Sequence, residues 1–122
     1  MTSTLANPAR ILLINDDPFE LVTLSASLRL HSTNVVGEAS NTFVAENLFY
    51  SLQPEIILID LQFSGEEAIR LLQKFRRINP EVGIVIMTSC PDLRLFGLLE
   101  KNIPAGSKVI LKRSVSDLSI IT

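Results

Sequence analysis

Ile56-Ile57-Leu58-Ile59-Asp60, residues 56–60, places four aliphatic residues in a row and ends them on an acid. A short apolar run bounded by Pro54 and a polar turn has the length of a strand buried on both faces. Such strands belong to parallel sheets covered by helices. Four more runs of this kind flank it: Ile11-Leu12-Leu13-Ile14, Val35-Val36, Gly83 to Met87, and Val109-Ile110-Leu111.

The segments between the runs have helical character. Pro18 suits the first position of a helix, because its missing N–H would be unpaired there anyway. Phe19, Val22, Ala26 and Leu30 are spaced as the buried face of that helix. Asn41 is placed to cap a second helix that carries Val44, Leu48 and Leu52 on one face. Gly65 to Arg77 reads as a third, with Ala68, Ile69, Leu72 and Phe75 as its buried stripe. Its acids, Glu66 and Glu67, come first and its bases, Lys74, Arg76 and Arg77, come last, the order that complements the helix dipole. Asn79-Pro80 stops it. A fourth helix is expected from Pro91 or Asp92 to Lys101, and Ser114-Val115-Ser116-Asp117 is a capping box for a fifth. Strand and helix thus alternate five times, which predicts an α/β fold.

The 122 residues are one domain's worth, and a chain that is 47% hydrophobic is not a disordered one. Its apolar runs are far shorter than the roughly 18 residues that span a bilayer, so no membrane segment is expected. MTSTLANPAR has no apolar stretch of a secretory signal, and the single Cys90 forms no internal disulfide; both predict a cytoplasmic protein. A net charge of -2 argues against nucleic-acid binding through a basic surface. The five glycines match no phosphate-binding loop, so nucleotide binding is not expected.

In open parallel sheets the site lies beyond the carboxyl ends of the strands. Here those ends carry Asp16 and Asp17, then Asp60, then Thr88, then Lys112. Singly, each has a plainer reading: Asp16 or Asp17 as a helix cap, Asp60 and Thr88 as turn caps, Lys112 as a solvated tip. Together they suggest a site. Crowded carboxylates repel, a divalent cation relieves that repulsion, and Mg²⁺ takes one or two carboxylates while keeping several waters. A hydroxyl and an ammonium on the same rim suit a phosphoryl oxygen.

ILLINDD, IILIDLQFSG, IVIMTS and VILK, in this order, resemble the receiver domain of bacterial two-component response regulators. The resemblance runs from about Arg10 to the end and implies the flavodoxin-like (βα)5 sandwich, strand order 2-1-3-4-5. Residues 1–9 would be an N-terminal extension and residues 10–122 the receiver. By the same resemblance Asp60 is the phosphoacceptor, taking its phosphoryl group from a phosphohistidine on a sensor histidine kinase. Asp17, Asp60 and the backbone carbonyl of Gln62 would ligate Mg²⁺, and Asp16 would hold it through water. Thr88 and Lys112 would contact the phosphoryl group and favour one arrangement of the neighbouring loops. The domain would be a signalling acceptor and not an enzyme.

Several positions depart from the family pattern. Phe63-Ser64 stands for Met-Pro, Ala68 for a common Gly, Arg113 for the Pro after the Lys, and Val109 for the aromatic switch residue. A cis bond without proline costs about 3 kcal/mol, so a trans bond is expected after Lys112. Gln62 and Cys90 occupy positions that tune dephosphorylation in the family. Only ten residues follow Lys112, which predicts a short or truncated fifth helix. Leu95, Phe96, Leu98 and Leu99 are too many apolar residues in five to face inward together, so this helix is expected to serve either a homodimer through the fourth-helix and fifth-strand face or the docking of a partner. VVGEAS resembles receivers that precede a C-terminal DNA-binding output domain in a longer parent protein. The competing reading is a degenerate receiver, acting as an interaction module without phosphorylation. His31 reads as a surface residue with no catalytic partner.

Overall fold

The computed structural model describes residues 8–31, 33–60, 65–88, 104 and 106–111. They form β1 (Arg10–Ile14), α1 (Pro18–Leu30), β2 (Asn34–Ala39), α2 (Thr42–Leu52), β3 (Ile56–Asp60), α3 (Gly65–Ile78), β4 (Gly83–Thr88) and β5 (Lys108–Leu111). All four strand pairings are parallel, in the order β2-β1-β3-β4-β5. This is the flavodoxin-like arrangement expected from the sequence. The expected fourth and fifth helices lie outside the described residues.

Alternation along the strands divides the core into two layers. Leu12, Ile14, Ile57, Ile59, Ile84 and Ile86 face α2 and α3. Ile11, Leu13, Leu58, Val85 and Met87 face α1. Both faces being covered, the strands need no polar side, which is why they read as unbroken aliphatic runs. Between β1 and β2 the register shifts by one residue: Ile11 pairs with Val35, but Leu12 pairs with Gly37.

The helices begin and end as local chemistry dictates. Asp17 caps α1 and Asn41 caps α2, each accepting backbone N–H groups of the first turn. Gln53 ends α2 in the left-handed conformation, at φ 48°. The guanidinium of Arg10 donates to the carbonyls of Leu52 and Gln53, 2.7 Å each, and so ties the end of α2 to the start of β1. Ala68, Ile69, Leu72 and Phe75 are buried on α3 as expected, joined by Leu71. On α2, Ala45 and Phe49 are fully buried, while Val44 and Leu48 pack half-buried beside them.

On α1 the expected stripe is the wrong one. Phe19, Val22 and Leu30 are 86, 64 and 85% exposed, and Ala26 is exposed too. Leu21, Leu24, Ser25 and Leu28 face the sheet instead. The helix carries apolar side chains on both sides, so spacing alone does not fix its phase. The three leucines bury more aliphatic surface against Ile11, Leu13 and Leu58 than a face containing Ala26 would. His31 is exposed, and its backbone N–H closes α1 on the Leu28 carbonyl at 2.9 Å.

Candidate functional site

β1 and β3 run side by side with Ile14 paired to Ile59. The next residue on each, Asn15 and Asp60, therefore stands at the same level on the carboxyl rim. Asn15 is 2% and Asp60 8% exposed. The side-chain amide of Asn15 donates to Oδ2 of Asp60 at 3.1 Å and makes a longer contact, 3.4 Å, with Oε1 of Glu20. Its own Oδ1 accepts the backbone N–H of Asp17 at 2.8 Å. The backbone N–H of Asn15 is held by the Ala39 carbonyl at the end of β2, 3.0 Å away.

Asp16 projects on the other side. With Asp60 it lines a cleft of about 120 Å³, closed by Ile14 and Ala68 and rimmed by Ser40, Thr42 and Glu67. The Thr42 hydroxyl donates to Oε1 of Glu67 at 2.7 Å. Much of Asp16 is exposed, yet surrounding protein atoms displace part of its water. That partial burial, and then the Asp60 carboxylate, push the Asp16 carboxyl above the ordinary carboxylate range; Asp17 and Glu20 add smaller repulsions. A hydrogen bond from its own backbone opposes the rise.

Asp17 takes the helix-cap role that was its plainer reading. Its Oδ1 accepts the N–H groups of Phe19 and Glu20, at 2.9 and 3.4 Å, so the carboxylate lies on the N-terminus of α1. Asp16, and not Asp17, is the acid that shares the cleft with Asp60. Among the described residues, no three His, Cys, Asp or Glu side chains converge to hold a metal. Two carboxylates with hydroxyl neighbours nonetheless suit a Mg²⁺ ion that keeps most of its waters.

β4 passes on the far side of β3, with Asp60 paired to Met87. The backbone thus places Thr88 one residue further out on the adjacent strand. Gln62, Cys90, Lys112 and Arg113 lie outside the described residues. Val109, in β5, is 44% exposed. The site residue that the sequence reading passed over is Asn15. Its signal was the parallel between ILLIN and IILID, four aliphatic residues closed by one polar residue, on strands that turn out to be neighbours.

Residues 11–105 match the response regulator receiver domain. The chain belongs to the response regulator receiver family. It is 34% identical over 87 residues to the nitrate/nitrite response regulator protein NarL of Escherichia coli, a match covering 66% of this chain and 38% of NarL. It is 32% identical over 84 residues to the transcriptional regulatory protein LiaR of Bacillus subtilis, covering 68% of this chain and 40% of LiaR. The receiver chain thus spans less than half the length of these relatives. The fold superimposes on the NarL signal receiver domain of Mycobacterium tuberculosis with a TM-score of 0.76 at 20% identity, covering 94% of this chain and 93% of that one. Its relatives are mostly response regulators, but they also include a protein-glutamate methylesterase/protein-glutamine glutaminase of Gluconobacter oxydans, 23% identical over 103 residues, covering 84% of this receiver and 29% of the esterase. No described helix of the receiver is long and apolar enough to cross a membrane.

Proposed function

We propose that this receiver accepts a phosphoryl group on Asp60 from the phosphohistidine of a sensor histidine kinase, with Mg²⁺ bound beside it. The observation that supports this most is the shared cleft of Asp16 and Asp60, where partial burial first and the neighbouring Asp60 carboxylate second raise the Asp16 carboxyl. A carboxylate oxygen of Asp60 forms the new O–P bond as the N–P bond of the phosphohistidine breaks, and the departing imidazole keeps the electron pair and takes up a proton. Catalysis of such a transfer is mainly positioning and charge neutralisation. Asp16 and Asp60 would hold the cation, which would offset the negative charge gathered between them and the phosphoryl oxygens. Asp17, set on the helix N-terminus, is assigned no direct bond to it. Thr88 and Lys112 would receive the phosphoryl oxygens, and Gln62 would add its backbone carbonyl to the cation site.

Residues 10–122 are assigned to the receiver, which is itself no enzyme, and residues 1–9 to an N-terminal extension. The similarity to LiaR, a transcriptional regulatory protein, supports a regulator whose output is transcription, so a C-terminal DNA-binding domain in a longer parent is the proposed partner, in the cytoplasm. A Salmonella RcsB structure, with a TM-score of 0.71 at 21% identity, contains promoter DNA and a phosphomimetic. The exposed Val109 favours a second reading, an interaction module working through the fifth-strand face, as a homodimer or otherwise. Incubation with Mg²⁺ and acetyl phosphate, followed by intact mass, separates the two. Wild type gains one phosphoryl group and Asp60→Asn gains none; no gain in wild type leaves the interaction module.

A further inference from the structure

The two faces of the Asn15 side chain are chemically committed. Its Oδ1 takes the Asp17 N–H at 2.8 Å, so the opposite end of the amide must be the NH₂ group, and that end meets Asp60 Oδ2 at 3.1 Å. The orientation is therefore fixed by the protein. Burial to 2% exposure keeps water from competing, and the Ala39 carbonyl anchors the backbone beneath it. We propose that Asn15 is a positioning residue for Asp60 and sets the divalent-cation affinity of the rim.

A cation binding between Asp16 and Asp60 draws on carboxylate lone pairs, and Asn15 directs an N–H at one of the Asp60 oxygens. The amide also adds no charge at a place, level with Asp60, where a carboxylate would add one. Affinity at hard-oxygen sites rises with the number of charged ligands. The amide therefore holds cation binding weak, and at the same time fixes the plane of the accepting carboxylate. This inference rests on the assignment of Asp60 as acceptor beside a cation, but its test does not depend on phosphoryl transfer.

The test is a Mg²⁺ titration of the full chain by calorimetry, with Mn²⁺ as a second probe. Asn15→Asp should bind about tenfold more tightly than wild type. Equal affinities in the two folded proteins overturn the proposal, as does absence of binding in both. Should Asn15→Asp fail to fold, the wild-type chain decides. The side-chain amide resonances of Asn15 should move on saturation with Mg²⁺, and unmoved resonances overturn the proposal. Asn15→Ala should take up phosphoryl groups from acetyl phosphate more slowly than wild type at saturating Mg²⁺, and an equal rate per folded molecule removes the positioning role. If wild type gains no phosphoryl group while Asn15→Asp still binds Mg²⁺ more tightly, the acceptor assignment fails and the role of Asn15 in cation binding stands.

Discussion

The rings of Phe49 and Phe75 lie face to face, with centroids 3.9 Å apart and planes 8° from parallel. One comes from α2 and the other from α3, so the pair joins the two helices that cover one face of the sheet. Both are buried, at 4 and 0% exposure. Truncating either to alanine should cost about 3–5 kcal/mol, from lost burial and the cavity left behind. The double variant should cost less than the sum by about 1 kcal/mol, the coupling of an aromatic pair. Chemical denaturation of the four proteins measures both quantities.

The exposed stripe on α1 leads to a contrast. Leu28→Ala should destabilise the chain by about 2–5 kcal/mol, because Leu28 is fully buried. Phe19→Ser and Leu30→Ser should stay within about 0.5 kcal/mol of wild type, as surface changes do. Urea midpoints for the three variants check the phase of the helix directly.

Asp16 and Asp17 should separate by phenotype. Asp17→Ala removes the cap of α1 and should cost about 1 kcal/mol of stability. Its Mg²⁺ affinity should fall less than that of Asp16→Ala, which loses one of the two carboxylates in the cleft. Thermal unfolding and Mg²⁺ calorimetry on the two variants would show opposite rankings. A larger loss of binding in Asp17→Ala would return the direct ligand role to Asp17.

The raised Asp16 carboxyl gives stability a sign with pH. The folded chain holds this proton to higher pH than the unfolded chain does. As pH climbs from the ordinary carboxylate range through the raised value, Asp16 therefore takes stability away. Asp16→Asn should melt higher than wild type at neutral pH without divalent ions, and this advantage should vanish in acid. Mg²⁺ should raise the melting temperature of wild type more than that of Asp16→Asn. Scanning calorimetry at two pH values, with and without Mg²⁺, tests each sign.

Strand positions and the buried face of α3 could be read from the sequence because they follow from local patterns, whereas the strand order followed only from the family resemblance. Unbroken aliphatic runs carry only one meaning in a covered sheet, and the α3 stripe stands against charged residues on its other side. The phase of α1 could not be read the same way: both Phe19-Val22-Ala26-Leu30 and Leu21-Leu24-Leu28 satisfy helical spacing. Which stripe turns inward depends on Ile11, Leu13 and Leu58 beneath it. At the rim, Asp60 was legible as the end of an apolar strand. Which of Asp16 and Asp17 turns toward the cleft and which toward α1 was not, since spacing alone does not orient two adjacent acids. It is decided by the N-terminus of α1, which claims Asp17 through the N–H groups of Phe19 and Glu20.

The shift between Ile11 and Leu12 gives the edge strand one surplus residue, Val36. An unbroken pairing of the same letters would set Gly37 against Leu13 and Glu38 against Ile14. A carboxylate would then enter the layer that holds Phe49 and Phe75, instead of meeting the Ser25 hydroxyl at 2.7 Å and Arg29 at 3.4 Å. The carbonyl that anchors Asn15 would belong to a different residue. β2 is thus constrained in register more than in composition. Losing Val36 would leave every later residue on its present side, whereas gaining one residue after it would turn the strand over and carry the disturbance to the carboxyl rim where Asn15 meets Asp60.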